Sequence, residues 1–218
     1  FLLARSLLKT SKDQRDLLIA FVAAGLIYSI PMLLEVRLSP QINIWVYGFF
    51  QHSFEQMIRE GGFRPIVFLY HGLWAAFFIM GTMVSAVILL RGETGRTKTY
   101  AMVAAAYLFG VLVLCKSLAS LMYAILLLPL LLFLPRRMQL LTAMCLAILT
   151  LSYPMLKSAN LVPERQLLEQ AEKISEDRAG SLRYRLENEN VLLERALDKP
   201  LFGWGSWGRN LVLNPATG

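Results

Sequence analysis

The distribution of charge constrains this chain more than any other feature. Five apolar blocks, at residues 17–34, 66–90, 100–115, 118–134 and 138–155, contain no Lys, Arg, Asp or Glu, while the segments between them are dense in charge. An ionised side chain at the centre of a bilayer costs about 2.5–3.5 kcal/mol on insertion scales, so such blocks are what lipid selects. A spanning helix needs roughly 20 apolar residues. The second block is long enough to span with tilt, and the third is short. With 56% hydrophobic residues and a mean hydropathy of +0.51, the expected fold is all-α. It is a polytopic transmembrane helix bundle of about five spans over residues 1–156, followed by a partly helical loop over 157–218.

Orientation follows from the connecting segments. Arg5, Lys9, Lys12 and Arg15 precede the first block, Arg91, Arg96 and Lys98 separate the second from the third, and Arg136 and Arg137 separate the fourth from the fifth. With five spans these three segments share one side, which the positive-inside rule makes cytoplasmic. The segment 35–65, the turn 116–119 and everything after Lys157 then face outward, into the periplasm of a bacterium. The segment 35–65 carries Trp45, Tyr47, Phe49 and Phe50, residues suited to resting on headgroups. The net charge of +7 is accounted for by these flanking residues acting on membrane lipids, and no basic–aromatic stretch points to nucleic acid.

Cys115 and Cys145 lie in apolar segments and read as buried free thiols. The two His and two Cys residues have no metal-ligand spacing. The chain starts at Phe1 without a signal-peptide pattern and stops at Gly218 in mid-loop, which is expected of an internal piece of a longer protein.

Four clusters can carry chemistry. The first is Gly61-Gly62-Phe63-Arg64-Pro65, followed by Tyr70-His71. Pro65 suits the first turn of a helix whose positive dipole end points outward, so Arg64 beside it reads either as an anion site, most naturally for phosphate, or as a snorkelling side chain. His71, seven residues on, falls on the same helical face, either toward a substrate cavity or packed and hydrogen-bonded. The second cluster is Lys116-Ser117 at the outer turn, a headgroup anchor or a further contact to the same anion. The third is Arg183-Tyr184-Arg185. It lies in an amphipathic segment, 181–197, with Leu182, Leu186, Leu193 and Leu197 on one stripe and Ser181 as N-cap; a helix over 164–178 precedes it. Its arginines are either solvated or lowered onto the membrane-side cavity. The fourth is Lys199-Pro200-Leu201-Phe202-Gly203-Trp204-Gly205, continuing to Trp207 and Gly208, where Gly203 and Gly205 allow a tight loop turn.

Taken together these clusters resemble the O-antigen ligase/polymerase family of bacterial glycan-assembly membrane proteins, over about residue 17 to the end. The Arg-containing helix followed by Ala196-Leu197-Asp198-Lys199-Pro200-Leu201-Phe202-Gly203-Trp204-Gly205 is similar to that family's periplasmic Arg … Pro-Leu-x-Gly-x-Gly segment. Gly61-Gly62-Phe63-Arg64 is similar to its earlier periplasmic arginine site. Lys116-Ser117 stands where the family more often shows Ser-Arg.

The resemblance implies transfer of a glycan from a polyprenyl-diphosphate donor to a second glycan or a lipid A core acceptor, without a cofactor. Arg64 and Arg185 (or Arg183) would hold the diphosphate and Lys116 would assist, since arginines at a water–lipid boundary can stabilise a leaving diphosphate without a metal. The absence of an Asp-x-Asp motif fits a metal-independent reaction. A catalytic polar residue, often His, normally follows the Gly-x-Gly segment in that family, at or beyond Gly218 here. Two other classes would also place cations near lipid: a lipid-linked-glycan flippase, which usually shows repeats around a central cavity, and a membrane scaffold whose amphipathic tail binds a partner. No internal repeat is present.

Overall fold

Polar residues flanking the apolar blocks cap and lengthen them into helices. The computed structural model describes residues 2–59, 61–174, 176–205 and 208. A short α1 (Leu2–Leu7) leads into α2 (Ser11–Leu38). The Thr10 hydroxyl accepts from Asp13 N while the Asp13 carboxylate accepts from Thr10 N, a reciprocal capping box that starts α2 well before its apolar stretch. Then come α3 (Ile42–Tyr47), one 3-10 turn (Phe54–Met57), and a two-residue antiparallel ladder of β1 (Ile58–Arg59) and β2 (Gly62–Phe63), paired Ile58 to Phe63 and Arg59 to Gly62. The remaining elements are helices: α4 (Gly72–Gly92), α5 (Gly95–Leu114), α6 (Leu118–Phe133), α7 (Arg136–Ser158), α8 (Glu164–Ile174) and α9 (Glu176–Leu197).

The fold is therefore all-α apart from one small ladder among the described residues. Four helices, α2, α4, α5 and α7, are long and apolar enough to cross a membrane. Helix α6, with 16 residues, is about 24 Å long against a hydrocarbon core of roughly 30 Å. The third block is short, but its helix begins five residues earlier, at Gly95, and reaches 20 residues by taking in the charged segment before it.

Three boundaries differ from the sequence expectation. The second block does not become helical at Pro65 but at Gly72, for a reason given below. The helix expected over 164–178 ends at Ile174, and the next begins at Glu176, so Ser181 lies inside α9 and is not its N-cap. On the expected apolar stripe of α9, Leu186 is buried, Leu182 and Leu193 are half-buried, and Leu197 is exposed.

The chain forms two compact units, residues 1–139 and 140–218. In the first, α4 packs against α2, α5 and α6. Close approach of α2 and α4 depends on Gly25, where an added Cβ would come within 2.6 Å of Thr82 Cβ. Ala75, Ala76, Ala86, Ala104 and Ala105 are buried around the same core, the small residues that let helices meet closely in lipid. Across that core the Ser29 hydroxyl and Tyr107 hydroxyl hydrogen-bond at 2.9 Å.

The two ends of the first unit differ in character. At one end Arg15 pairs with Glu93, and Arg91 donates to the Leu131 carbonyl; Gln139 Nε2 also donates to the Leu130 and Leu134 carbonyls, satisfying groups at the end of α6. That end gathers the start of α2, the α4–α5 turn and the end of α6. At the opposite end the C-terminal part of α2 meets the segment 64–71, which in turn meets the α5–α6 turn. The second unit comprises residues 140–158 of α7 together with α8 and α9.

Candidate functional site

The segment between β2 and α4 is held by side chains rather than by a helix. Glu35, only 1% exposed near the end of α2, accepts Ile66 N and Val67 N on Oε2, both at 2.8 Å, and Ile42 N on Oε1 at 3.1 Å. Phe68 N donates to the Tyr28 hydroxyl at 3.0 Å. Gln51 Nε2 donates to the Val67 and Leu69 carbonyls at 2.7 and 2.9 Å. Pro65 therefore does not open a helix. The N–H groups after it, which a first helical turn would leave unpaired, have acceptors from α2 instead. Val67 also takes a left-handed backbone, φ +51. That conformation is an outlier for a β-branched residue, and it persists only where the surroundings over-determine it.

Arg64 and Lys116 come together at the end of this segment. Arg64 is 8% exposed; its N–H pairs with the Met57 carbonyl at 2.8 Å, and its Nη2 donates to the Lys116 carbonyl at 3.0 Å. Its aliphatic stem lies across Gly72, the first residue of α4: a Cβ on Gly72 would fall 2.6 Å from Arg64 Cγ. The arginine's stem thus lies beside the N-terminus of a helix that begins seven residues after Pro65, reached through space rather than along the chain. Lys116 lies over Gly62, where an added Cβ would meet its Cε at 3.3 Å and its Nζ closer still. Both glycines leave room for a cation, so the Gly-Gly-Phe-Arg pattern has a steric basis in Gly62.

Lys116 occupies the position just past the end of α5 with φ +50. Glycine is the usual residue there, and a left-handed backbone costs other residues about 1–2 kcal/mol. In that conformation the Lys116 carbonyl is turned to Arg64. Ser117 beside it is buried and hydrogen-bonds Ser120 at 3.2 Å.

His71 is the N-cap of α4, with Nδ1 accepting from Leu73 N at 3.0 Å. That bond places the proton of the neutral ring on Nε2. The imidazole also meets the His52 ring, 4.5 Å between centroids. His71 is thus a hydrogen-bonded cap, and it does not share a helical face with Arg64 because no helix joins them.

Beside this segment lies a cleft of about 460 Å³ lined by Asn43, Tyr47, Phe49, Gln51, Phe68 and Tyr70. Tyr47 meets Phe68 edge-to-face at 5.7 Å, and Asn43 Nδ2 donates to the Phe49 carbonyl at 2.8 Å. Gln51 Oε1 is buried and accepts no hydrogen bond from the described residues. Such an acceptor costs about 1–3 kcal/mol when nothing donates to it.

In the second unit, Arg183 pairs with Glu172 at 2.9 Å on an exposed surface. Arg185 is exposed and makes no ion pair among the described residues. Gly203 and Gly205 have φ +64 and +74, so the turn needs glycine at both positions. Trp204 is clamped between cations: Arg195 Cζ lies 3.4 Å and Lys199 Nζ 3.9 Å from its ring centroid, and its Nε1 donates to the Arg195 carbonyl. Trp207 and positions 209–218, toward which the catalytic residue was expected, lie outside the described residues.

Sequence reasoning passed over Glu35, Tyr28 and Gln51, which build the segment. The one available signal was Glu35, an acid abutting the first apolar block. Fold and site define an all-α chain whose helices are suited to crossing a membrane, with two cations gathered at one end of its first unit. No protein-family model, curated protein or solved structure matches it.

Proposed function

We propose that this chain spans a bacterial inner membrane about five times and belongs to a periplasm-facing glycosyltransferase of the O-antigen ligase/polymerase type. It moves a glycan from a polyprenyl-diphosphate donor to a glycan or lipid A core acceptor. The carrying observation is the pair Arg64–Lys116 beside the N-terminus of α4. Two cations and the positive end of a helix dipole suit a diphosphate, whose departure is the charge-developing step of glycosyl transfer. Arg64 holds the leaving diphosphate and Lys116 neutralises it further. The loop after α7 is periplasmic, and the end of the first unit bearing Arg15, Arg91 and Arg136 is cytoplasmic.

The test is complementation of cells that lack the protein. Arg64→Ala abolishes glycan transfer with membrane abundance near wild type, and Arg64→Lys recovers only part of it, because an ammonium lacks the bidentate fork. Full activity of Arg64→Ala would remove the diphosphate role. The flippase alternative is separated by where the donor accumulates. Without a transferase, donor collects on the outer leaflet, whereas loss of a flippase traps it on the cytoplasmic leaflet.

A further inference from the structure

The aromatic cleft beside the cation pair is not used by the chemistry above. Its four walls, Tyr47, Phe49, Phe68 and Tyr70, are each exposed by 45% or more. They are also held in place. Gln51 grips the carbonyls on both sides of Phe68, the Tyr28 hydroxyl takes its N–H, and Glu35 takes the two N–H groups before it. The strained Val67 turn is part of the same brace. A segment so thoroughly fixed by three buried or half-buried side chains presents Phe68 and Tyr70 in a set geometry at no further ordering cost.

The lining selects among ligand classes. It has no charged side chain, so an anion finds no ion pair there, while its amide and phenol groups offer partners to a neutral polar guest. A neutral ring with C–H groups on its faces and hydroxyls on its edge fits such a lining: the C–H faces sit on the electron-rich aromatic faces, and the edge hydroxyls meet the polar groups that Asn43, Tyr47 and Tyr70 bring to the same cleft. Phe68 is four residues from Arg64, so their Cα atoms are at most about 14 Å apart, a distance that a short oligosaccharide covers.

We propose that the cleft walled by Tyr47, Phe49, Phe68 and Tyr70 binds a pyranose ring of the glycan that the donor carries, while Arg64 and Lys116 take the diphosphate. This inference rests on the glycan-transfer reading, and it adds the sugar subsite that reading lacks. The subsite holds the glycan at a fixed distance from the diphosphate and so discriminates donors by the sugars beyond the first.

The experiment uses the full chain in lipid nanodiscs and two probes: the oligosaccharide released by mild acid from the cells' own lipid-linked pool, followed by saturation-transfer NMR, and farnesyl diphosphate. Expected is saturation of the oligosaccharide by wild type, with affinity lowered at least tenfold in both Phe68→Ala and Tyr47→Ala and unchanged in Trp45→Ala, whose ring lies outside the cleft. Farnesyl diphosphate binds all four proteins alike and is lost in Arg64→Ala. Oligosaccharide binding that survives both cleft substitutions overturns the subsite, as does its absence in wild type while farnesyl diphosphate still binds; in both cases the diphosphate reading stands. If wild type binds the oligosaccharide but not farnesyl diphosphate, the sugar site stands and the diphosphate site falls. Strong quenching of Phe68→Trp emission by brominated lipids, beyond that of wild type, shows the cleft filled by lipid and overturns the proposal.

Discussion

Arg64 donates from Nη2 to the carbonyl of Lys116, 52 residues further along the chain, at 3.0 Å. The bond joins the segment 64–71 to the α5–α6 turn and brings two basic residues together. The sequence offered both as contacts to one anion, each with a plain alternative: a snorkelling side chain for Arg64 and a headgroup anchor for Lys116. Their convergence depends on Gly62 and Gly72, the two positions where a methyl group would strike the side chains of Lys116 and Arg64.

Lys116 separates charge from fold at this site. Its left-handed backbone is unfavourable for lysine and natural for glycine. Lys116→Gly is expected to leave thermal stability within about 1 kcal/mol of wild type, with strain relief offset by unfolded-state entropy. It keeps the carbonyl that Arg64 uses and removes the side chain with its ammonium. Diphosphate binding should fall roughly tenfold, the effect of losing about 1.4 kcal/mol of charge interaction. Unchanged binding in Lys116→Gly, with the fold intact by circular dichroism, removes Lys116 from the site.

Glu35 carries a structural prediction of a different kind. It is buried and satisfies three backbone N–H groups. Glu35→Ala leaves those donors without their acceptor, at about 1–3 kcal/mol each where they remain dry. The segment 64–71 should then lose its fixed form. Hydrogen exchange at Ile66, Val67 and Ile42 is expected to accelerate strongly while the amides of α5 stay protected. Glu35→Gln keeps one acceptor oxygen and should lie between the two. Equal exchange in wild type and Glu35→Ala would show that the brace is not needed.

Much of the fold was legible because lipid imposes a simple pattern. The uncharged blocks mark the helices, and the alternation of basic segments marks which helix ends meet, as the Arg15–Glu93 pair and the Arg91 contact to Leu131 bear out. The start of α4 was not legible. Pro65 has the local signature of a first helical turn, but the carboxylate that takes the following N–H groups comes from residue 35, and no local rule carries that information. Ser181 misled in the same way: a good cap residue is only a cap if the chain before it is not helical, and α9 already begins at Glu176. Gly203 and Gly205 were legible because a left-handed turn has few other solutions.

The second unit carries a pH-sensitive contact. Lys157, 5% exposed near the end of α7, pairs with Glu189 of α9 at 2.7 Å and with Glu164 of α8 at 3.2 Å, and the Tyr153 hydroxyl donates to the same Glu189 oxygen at 3.0 Å. The hydrogen bond from Lys157 holds the Glu189 carboxyl below its ordinary value of 4.5, against partial desolvation that pushes it up. A carboxylate depressed on folding contributes stability above its unfolded value, and that stability is lost as pH falls through the folded value. The α7–α9 contact should therefore be intact at neutral pH and weaken in acid below about 4.5. The measurement is amide exchange along α9 as pH is lowered. Glu189→Gln should be weaker at neutral pH and lose most of the acid dependence. An unchanged acid profile in that variant assigns the transition to other carboxylates.

The remaining prediction concerns sidedness, on which the functional proposal depends. In the first unit the start of α2, the α4–α5 turn and the end of α6 share one end, and the segment 64–71 shares the other with the α5–α6 turn. The nine basic residues at 5, 9, 12, 15, 91, 96, 98, 136 and 137 all flank the first of these ends. Lys and Arg beside short loops are retained on the cytoplasmic side, whereas long polar loops cross largely regardless of charge, so the basic tail beyond residue 157 does not contradict this orientation. Cys115 is buried but Cys145 is exposed, so single-cysteine labelling needs both removed. In that background an impermeant maleimide applied to intact cells with a permeabilised outer membrane should label a cysteine at position 165 or 199 and spare one at 95. A cysteine at 61, on the exposed turn before Arg64, should label with the first group. Labelling at 95 with protection at 61 and 165 places Arg64 and Lys116 in the cytoplasm, where no periplasmic donor can reach them, and ends the transferase reading in its present form.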